Sequence, residues 1–163
     1  MKALSLLQPW ATMLVQRFKM FETRGWMPTR DTLSRGDWLA IHSARAWSID
    51  QQLLCDAPYF REAFARLGDE SLHLGTVIGF VQYGPAFIVG EDIETNDVSE
   101  QEIAFGDWSL NRRVWRFDDA YACRVPILTR GKQGIFNVDI DFEELLRNGH
   151  LIHVEDPAPL IVE

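Results

Sequence analysis

One stretch restricts the possible folds more than any other. Gly75-Thr-Val-Ile-Gly-Phe-Val-Gln-Tyr-Gly-Pro-Ala-Phe-Ile-Val89 is almost wholly apolar, β-branched or aromatic. It is too short to span a membrane as a helix and too rich in β-formers and glycine to read as a surface helix. It predicts one long buried strand, or two strands bent at Gly84-Pro85. The rest of the chain supplies partners for it. Lys2–Leu7, Asp37–Ala44, the stretch within Phe105–Phe117, Tyr121–Leu128, Gly134–Val138 and His150–Glu155 all read as strands. Ala11, Leu14, Val15 and Phe18 recur with helical spacing, so a helix beginning at Pro9 is expected to carry Lys19 at its end. Ser48 with Gln51 marks an N-terminus, and Leu53, Leu54, Phe60, Phe64 and Leu67 continue as two helices divided at Pro58 and closed by Gly68. Ser99 caps a short helix and Asp141–Arg147 forms another. With 163 residues, 47% of them hydrophobic, residues 1–163 are read as one domain.

The formal net charge of −8 argues against non-specific adhesion to nucleic acid, but the charges are segregated. Residues 1–47 hold seven Lys/Arg against three Asp/Glu, and residues 111–134 hold six against two. Residues 48–107 hold two Lys/Arg against twelve Asp/Glu, and residues 135–163 hold one against seven. Two basic blocks on an acidic body suit one positive cleft for a defined anionic ligand. The acidic run 91–102 is assigned to the solvated surface, with a protein-interaction face as an alternative use. Cys55 and Cys123 lack any metal-binding spacing and are read as buried free thiols; no metal or cofactor is expected. No leader-like apolar run opens the sequence and no membrane span is present, so a cytoplasmic location is expected. The oligomeric state is left unassigned.

Candidate chemistry centres on Lys19-x-x-Glu22-x-Arg24. Arg offers a planar fork, Lys a compact charge and Glu an acceptor, a set that suits a nucleotide's phosphate, base edge and ribose hydroxyls. Ordinary surface ion pairing at this spacing is the plain alternative. Gln8 and Trp10 stand at the start of the first helix, where unpaired N–H groups favour an anion. Trp10 and Trp108 are candidate stacking faces, and Arg113 belongs to the second basic block. His42 and Ser43 end a strand in polar groups but have no matched acid for a catalytic triad. Arg130-Gly-Lys-Gln-Gly134 forms a turn in which Lys132 and backbone N–H groups can hold a phosphate.

Taken together, residues 2–11, Lys19-x-x-Glu22-x-Arg24, Ala40–Ala44, Phe105-Gly106-Asp107, Val114-Trp115 and Gly131–Phe136 resemble the ASCH domain family, named for activating signal cointegrator-1 homology and related to PUA RNA-binding domains. The resemblance spans Lys2 to Asp139. It implies an α+β fold: a small mixed β-barrel of PUA-like type with helices packed around it, and a ligand cleft between the first helix and the barrel. It implies binding of RNA, a nucleotide or a modified nucleoside in that cleft through Lys19, Glu22 and Arg24, to which the reading of the residues adds Gln8, Trp10, His42, Ser43, Trp108, Arg113 and Lys132 as candidate ligand contacts. Related branches include an amidohydrolase acting on acetylated cytidine and a ribonuclease; in an enzyme, Lys19 and Glu22 would be the acid/base pair. The amidohydrolase branch has a threonine where this chain has Glu22, with Thr23 one place off. The family pattern G-x-K-x-x-E-x-R also has glycine where this chain has Arg17, a departure at the turn after the helix.

Overall fold

A computed structural model describes residues 1–68 and 72–163. Seven strands form one mixed sheet: β1 (Lys2–Leu6), β2 (Phe21–Arg24), β3 (Trp38–Ser43), β4 (Thr76–Ile88), β5 (Arg113–Leu128), β6 (Ile135–Asn137) and β7 (Leu151–His153). The order is β2-β5-β4-β3-β1-β6, with β7 pairing the second half of β5. Only β1 and β3 are parallel, with Leu4 opposite Ile41. The sheet curls into a half-barrel whose ends, β2 and β6, are not paired to each other.

The two long strands do the curling. β4 is one continuous strand across Gly84-Pro85, which forms a bulge against β5 instead of a break. A Cβ at Gly84 would sit 2.6 Å from the Asp118 carboxylate, so the bulge brings that side chain directly over the glycine and a larger residue would have to displace it. β5 likewise runs unbroken through 16 residues, where the sequence suggests two strands. Asp118 is its extra residue: Phe117 faces Tyr83 and Asp119 faces Gln82. These bulges bend the strands without ending them.

Period-two alternation assigns the two faces. Leu4, Ile41 and Val81 point inward with Trp115 and Phe117, covered by Ala11, Leu14 and Val15 of α1 (Trp10–Val15). Ala3, Ala40 and Phe80 point outward and are covered by α5 (Phe142–Arg147) through Phe142. α2 (Ile49–Cys55), α3 (Pro58–Leu67) and α4 (Glu100–Phe105) lie beyond α1, where Met13, Phe18, Phe60, Phe105 and Leu160 form a third cluster. Ser48 and Ser99 cap α2 and α4 as the sequence predicts, accepting from Gln51 N and Glu102 N.

Three expectations are corrected. α1 stops at Val15, four residues short of Lys19, because Arg17 takes a left-handed conformation (φ 63°) that ends the helix. Cys55 and Cys123 are half-buried free thiols: Cys55 Sγ donates to Gln51 O within α2, and Cys123 packs against the outer-face cluster. The acidic run is mostly exposed, but its last residue, Glu102, is buried against the α1–β2 turn. Among the described residues no helix is long and apolar enough to cross a membrane.

Candidate functional site

The turn between α1 and β2 positions the central charges. Lys19 N donates to Met13 O, and the buried Glu102 Oε1 accepts from Met20 N at 2.6 Å. Phe117 N donates to Met20 O, which fixes the turn to the sheet. Arg17 completes it from inside. Its Nε donates to Asp156 Oδ1 (2.8 Å), Nη1 to Phe117 O (2.7 Å) and Nη2 to Asp118 O (3.4 Å). An arginine therefore occupies the position of the pattern's glycine, keeps the φ that glycine favours, and uses its side chain to hold the turn.

β2 then alternates. Glu22 and Arg24 share one face, and the turn brings Lys19 onto the same carboxylate. Lys19 Nζ lies 2.7 Å from Glu22 Oε2, and Arg24 Nε lies 2.9 Å from Glu22 Oε1. Arg24 Nη2 also donates to Ser5 O on β1. Lys19 and Glu22 are buried, whereas the Arg24 side chain is 29% exposed. This is a buried, two-sided ion-pair cluster, unlike the solvated pair its spacing alone would permit. Removing one member of such a cluster leaves an uncompensated charge, a far larger perturbation than loss of a surface pair.

The cluster lines a cleft of about 490 Å³ between the edge of the half-barrel and helices α1 to α4. Trp10, Phe60 and Phe105 form an aromatic wall, and Thr23, Asp107 and Arg112 complete the polar rim. Arg112 Nη2 donates to Thr23 O, while its buried Nε has no hydrogen-bond partner among the described residues and lies 3.6 Å from Asp107 Oδ2. Hydrogen bonds from the Ser109 hydroxyl and backbone N–H hold the Asp107 carboxyl below its usual range. The set offers two carboxylates, three cations and apolar walls.

Several candidates from the sequence lie elsewhere. Gln8 is fully buried, donating to His73 O and accepting from Thr12 N, so it caps the chain and faces no ligand. Ser43 is fully buried, its hydroxyl donating to Thr76 O. Trp108 has no open face: it is buried, its Nε1 donates to Glu102 O, and Phe21 packs edge-on against it. Arg113 donates to Asn111 O away from the cleft; its neighbour Arg112 takes the cleft position. Arg112 was missed because the sequence does not show where β5 begins, and the residue before a strand has no fixed face.

His42 and Lys132 border a second cleft of about 790 Å³, which shares Ser5, Leu7 and Arg24 with the first. His42 Nε2 contacts Thr129 O at 2.9 Å, so it carries the proton, and Nδ1 accepts from Ser5 Oγ at 2.9 Å. Burial holds this imidazole below its usual pKa. Lys132 is exposed on the rim. Among the described residues no cluster of His, Cys, Asp or Glu has the geometry of a metal site.

A curled mixed sheet, a helix after the first strand and a charged cleft between them define a domain of the α+β class. No family model matches the chain, and no curated protein matches it. The chain is similar to the crystal structure of ASCH from Zymomonas mobilis, with a TM-score of 0.53 and 16% identity, over 94% of this chain and 97% of that one. A mutant form of the same Zymomonas mobilis protein matches at a TM-score of 0.49 and 14% identity, over 91% of this chain and 93% of that one. At these identities the likeness is one of fold: this chain has the fold of an ASCH domain.

Proposed function

We propose that the cleft around Lys19, Glu22 and Arg24 binds RNA or a nucleotide. The observation that carries this reading is a carboxylate held at both oxygens by cations, at the mouth of an aromatic-walled cleft. Arg24 and Arg112 line the cleft, and a guanidinium group suits a phosphate or the Hoogsteen edge of a base. Glu22 accepts from a base amino group or a ribose hydroxyl, and the half-buried Trp10 offers a stacking surface. The ASCH-type fold is consistent with this use.

The test is a calorimetric titration with nucleosides, nucleotides and short single-stranded RNAs at two salt concentrations. Arg112→Gln is the cleaner probe because Arg112 stands outside the Glu22 cluster, whereas Arg24→Gln removes one of the two cations on Glu22 and leaves Lys19 in place, so its fold is checked alongside. The expected result is saturable, salt-weakened binding that falls at least tenfold in each variant while circular dichroism is unchanged. Binding that survives both substitutions would move the ligand out of this cleft.

A hydrolytic reading rests on the 2.7 Å Lys19–Glu22 contact alone. Each oxygen of Glu22 accepts from one cation and keeps a further lone pair, which can accept from a ligand's N–H or O–H as readily as from water, so the contact singles out no base. Binding is therefore the better-supported use. Turnover of acetylated cytidine or RNA that disappears in Glu22→Gln would reverse that preference.

A further inference from the structure

The second cleft differs from the first in charge. The first includes Glu22 and Asp107; the second is lined by Arg24, Arg45, Arg130 and Lys132 with no carboxylate. Arg45, Arg130 and Lys132 make no ion pair among the described residues, and Arg45 and Arg130 are exposed. The floor adds no negative charge. It is the His42 imidazole, held by Ser5 and Thr129.

The turn over that floor is tightly seated. A Cβ at Gly131 would lie 2.7 Å from His42 Nδ1 and 3.0 Å from Ser5 Oγ, so the backbone rests directly on both side chains. Gly134 (φ 67°) then reverses the chain into β6. The backbone N–H groups of residues 130–134 have no hydrogen-bond acceptor among the described residues, which leaves them available beside Lys132. The second cleft is also lined by Trp26, an exposed aromatic packed edge-on against Trp115, whose Nε1 donates to Trp26 O.

We propose that this second cleft is a phosphodiester-tracking subsite for single-stranded RNA. A nucleotide in the first cleft would be joined across Arg24 to a neighbour whose phosphates meet Arg45, Arg130 and Lys132 and whose base stacks on Trp26. This rests on nucleotide binding in the first cleft and extends it: the ligand is an oligonucleotide, not a free nucleoside. Unpaired cations beside an exposed tryptophan are the requirements for holding single strands.

The test compares calorimetric titrations of a nucleoside monophosphate and an RNA trinucleotide at two salt concentrations. Wild-type protein, Arg45→Gln/Arg130→Gln and Trp26→Leu are each titrated. The trinucleotide is expected to bind at least tenfold tighter than the monophosphate. The double variant is expected to lose that advantage while monophosphate affinity stays within twofold. Its salt slope for the trinucleotide falls by about 1.4, because each phosphate contact on a single strand contributes about 0.7. Trp26→Leu weakens the trinucleotide about fivefold or more, the lower end of one stacking interaction. Equal affinity of both ligands for wild-type protein overturns the subsite and leaves the first cleft's reading intact. Failure of both ligands to bind overturns both readings, and displacement of the trinucleotide by an equimolar acidic peptide overturns the choice of RNA.

Discussion

Arg17 shows how one residue satisfies two demands that conflict in most sequences. Its φ of 63° is a conformation in which a non-glycine residue costs about 1 kcal/mol or more, yet its guanidinium binds two backbone carbonyls and Asp156 from a buried position. Glycine there would relax the backbone and lose the bonds; alanine would lose the bonds and keep the strain. Arg17→Ala is therefore expected to destabilise the protein by about 3 kcal/mol or more, and Arg17→Gly by about 1 kcal/mol less. Urea unfolding of the two variants checks the order, and equal midpoints would refute this account. Glu102 is the second unusual residue. Burial is the main cause that pushes its carboxyl up to about 7, against opposing effects of the Met20 N–H and of Lys19. Its Oε2 is buried with no hydrogen-bond partner among the described residues. A raised folded-state pKa means that the native protein binds the proton more tightly than the unfolded chain. The resulting stability is complete below the usual carboxylate range and is lost as pH rises through about 7. The change is on the order of 3 kcal/mol, and Glu102→Gln is expected to flatten it in unfolding curves from pH 4 to 8. His42, whose pKa burial lowers, acts oppositely: its contribution is present above about 6.5, the ordinary histidine value, and lost as pH falls through its lowered pKa. A slope of that sign would therefore remain in the Glu102→Gln variant.

Among the elements, α1 is the one whose placement decides the site, because the chain leaves it directly into the turn that carries Lys19. It packs on the sheet through Val15, which sits over Gly79 of β4. A Cβ at Gly79 would collide with the Val15 side chain and with Tyr121 O on β5. Gly79→Ala is expected to cost about 2 kcal/mol or more and to shift α1 outward, weakening ligand binding as well as stability. Adding Val15→Ala removes one of the two collisions and should restore part of the loss; a fully stable Gly79→Ala variant would show that α1 has no such tight seat. The helix itself was legible from Ala11, Leu14 and Val15, and so were the caps at Ser48 and Ser99, because local spacing and capping chemistry dictate them. The end of α1 was not, since periodicity continued through Phe18 while the backbone at Arg17 had already reversed. The continuity of β4 and β5 was also hidden. A bulge at Gly84-Pro85 or Asp118 reads locally like a strand end and is distinguished only by the partner strand.

Across the whole molecule, the segregated charge along the chain becomes spatial segregation. Arg24 and Arg45 come from the first basic block, and Arg112, Arg130 and Lys132 from the second. All five border the two adjoining clefts, while the acidic segments lie mostly on exposed surface. That convergence was legible from charge counting. The choice among individual residues was not. Gln8, Ser43 and Trp108 have the right chemistry for a ligand site, but tertiary contacts consume their polar groups. The segment after β7 is tied down by several elements: Asp156 accepts from Arg17, Ala158 O and Pro159 O accept from Arg66, and Leu160 N donates to Gln101. The helices that wall the first cleft are thus fastened to the turn that supplies its charges. Arg24 borders both clefts and holds Glu22 and Ser5 with one guanidinium. A ligand that draws this guanidinium toward one cleft withdraws it from the other and frees an oxygen of Glu22. Occupancy of the two clefts is therefore thermodynamically linked, and whatever factor the first ligand imposes on the second is returned in equal measure.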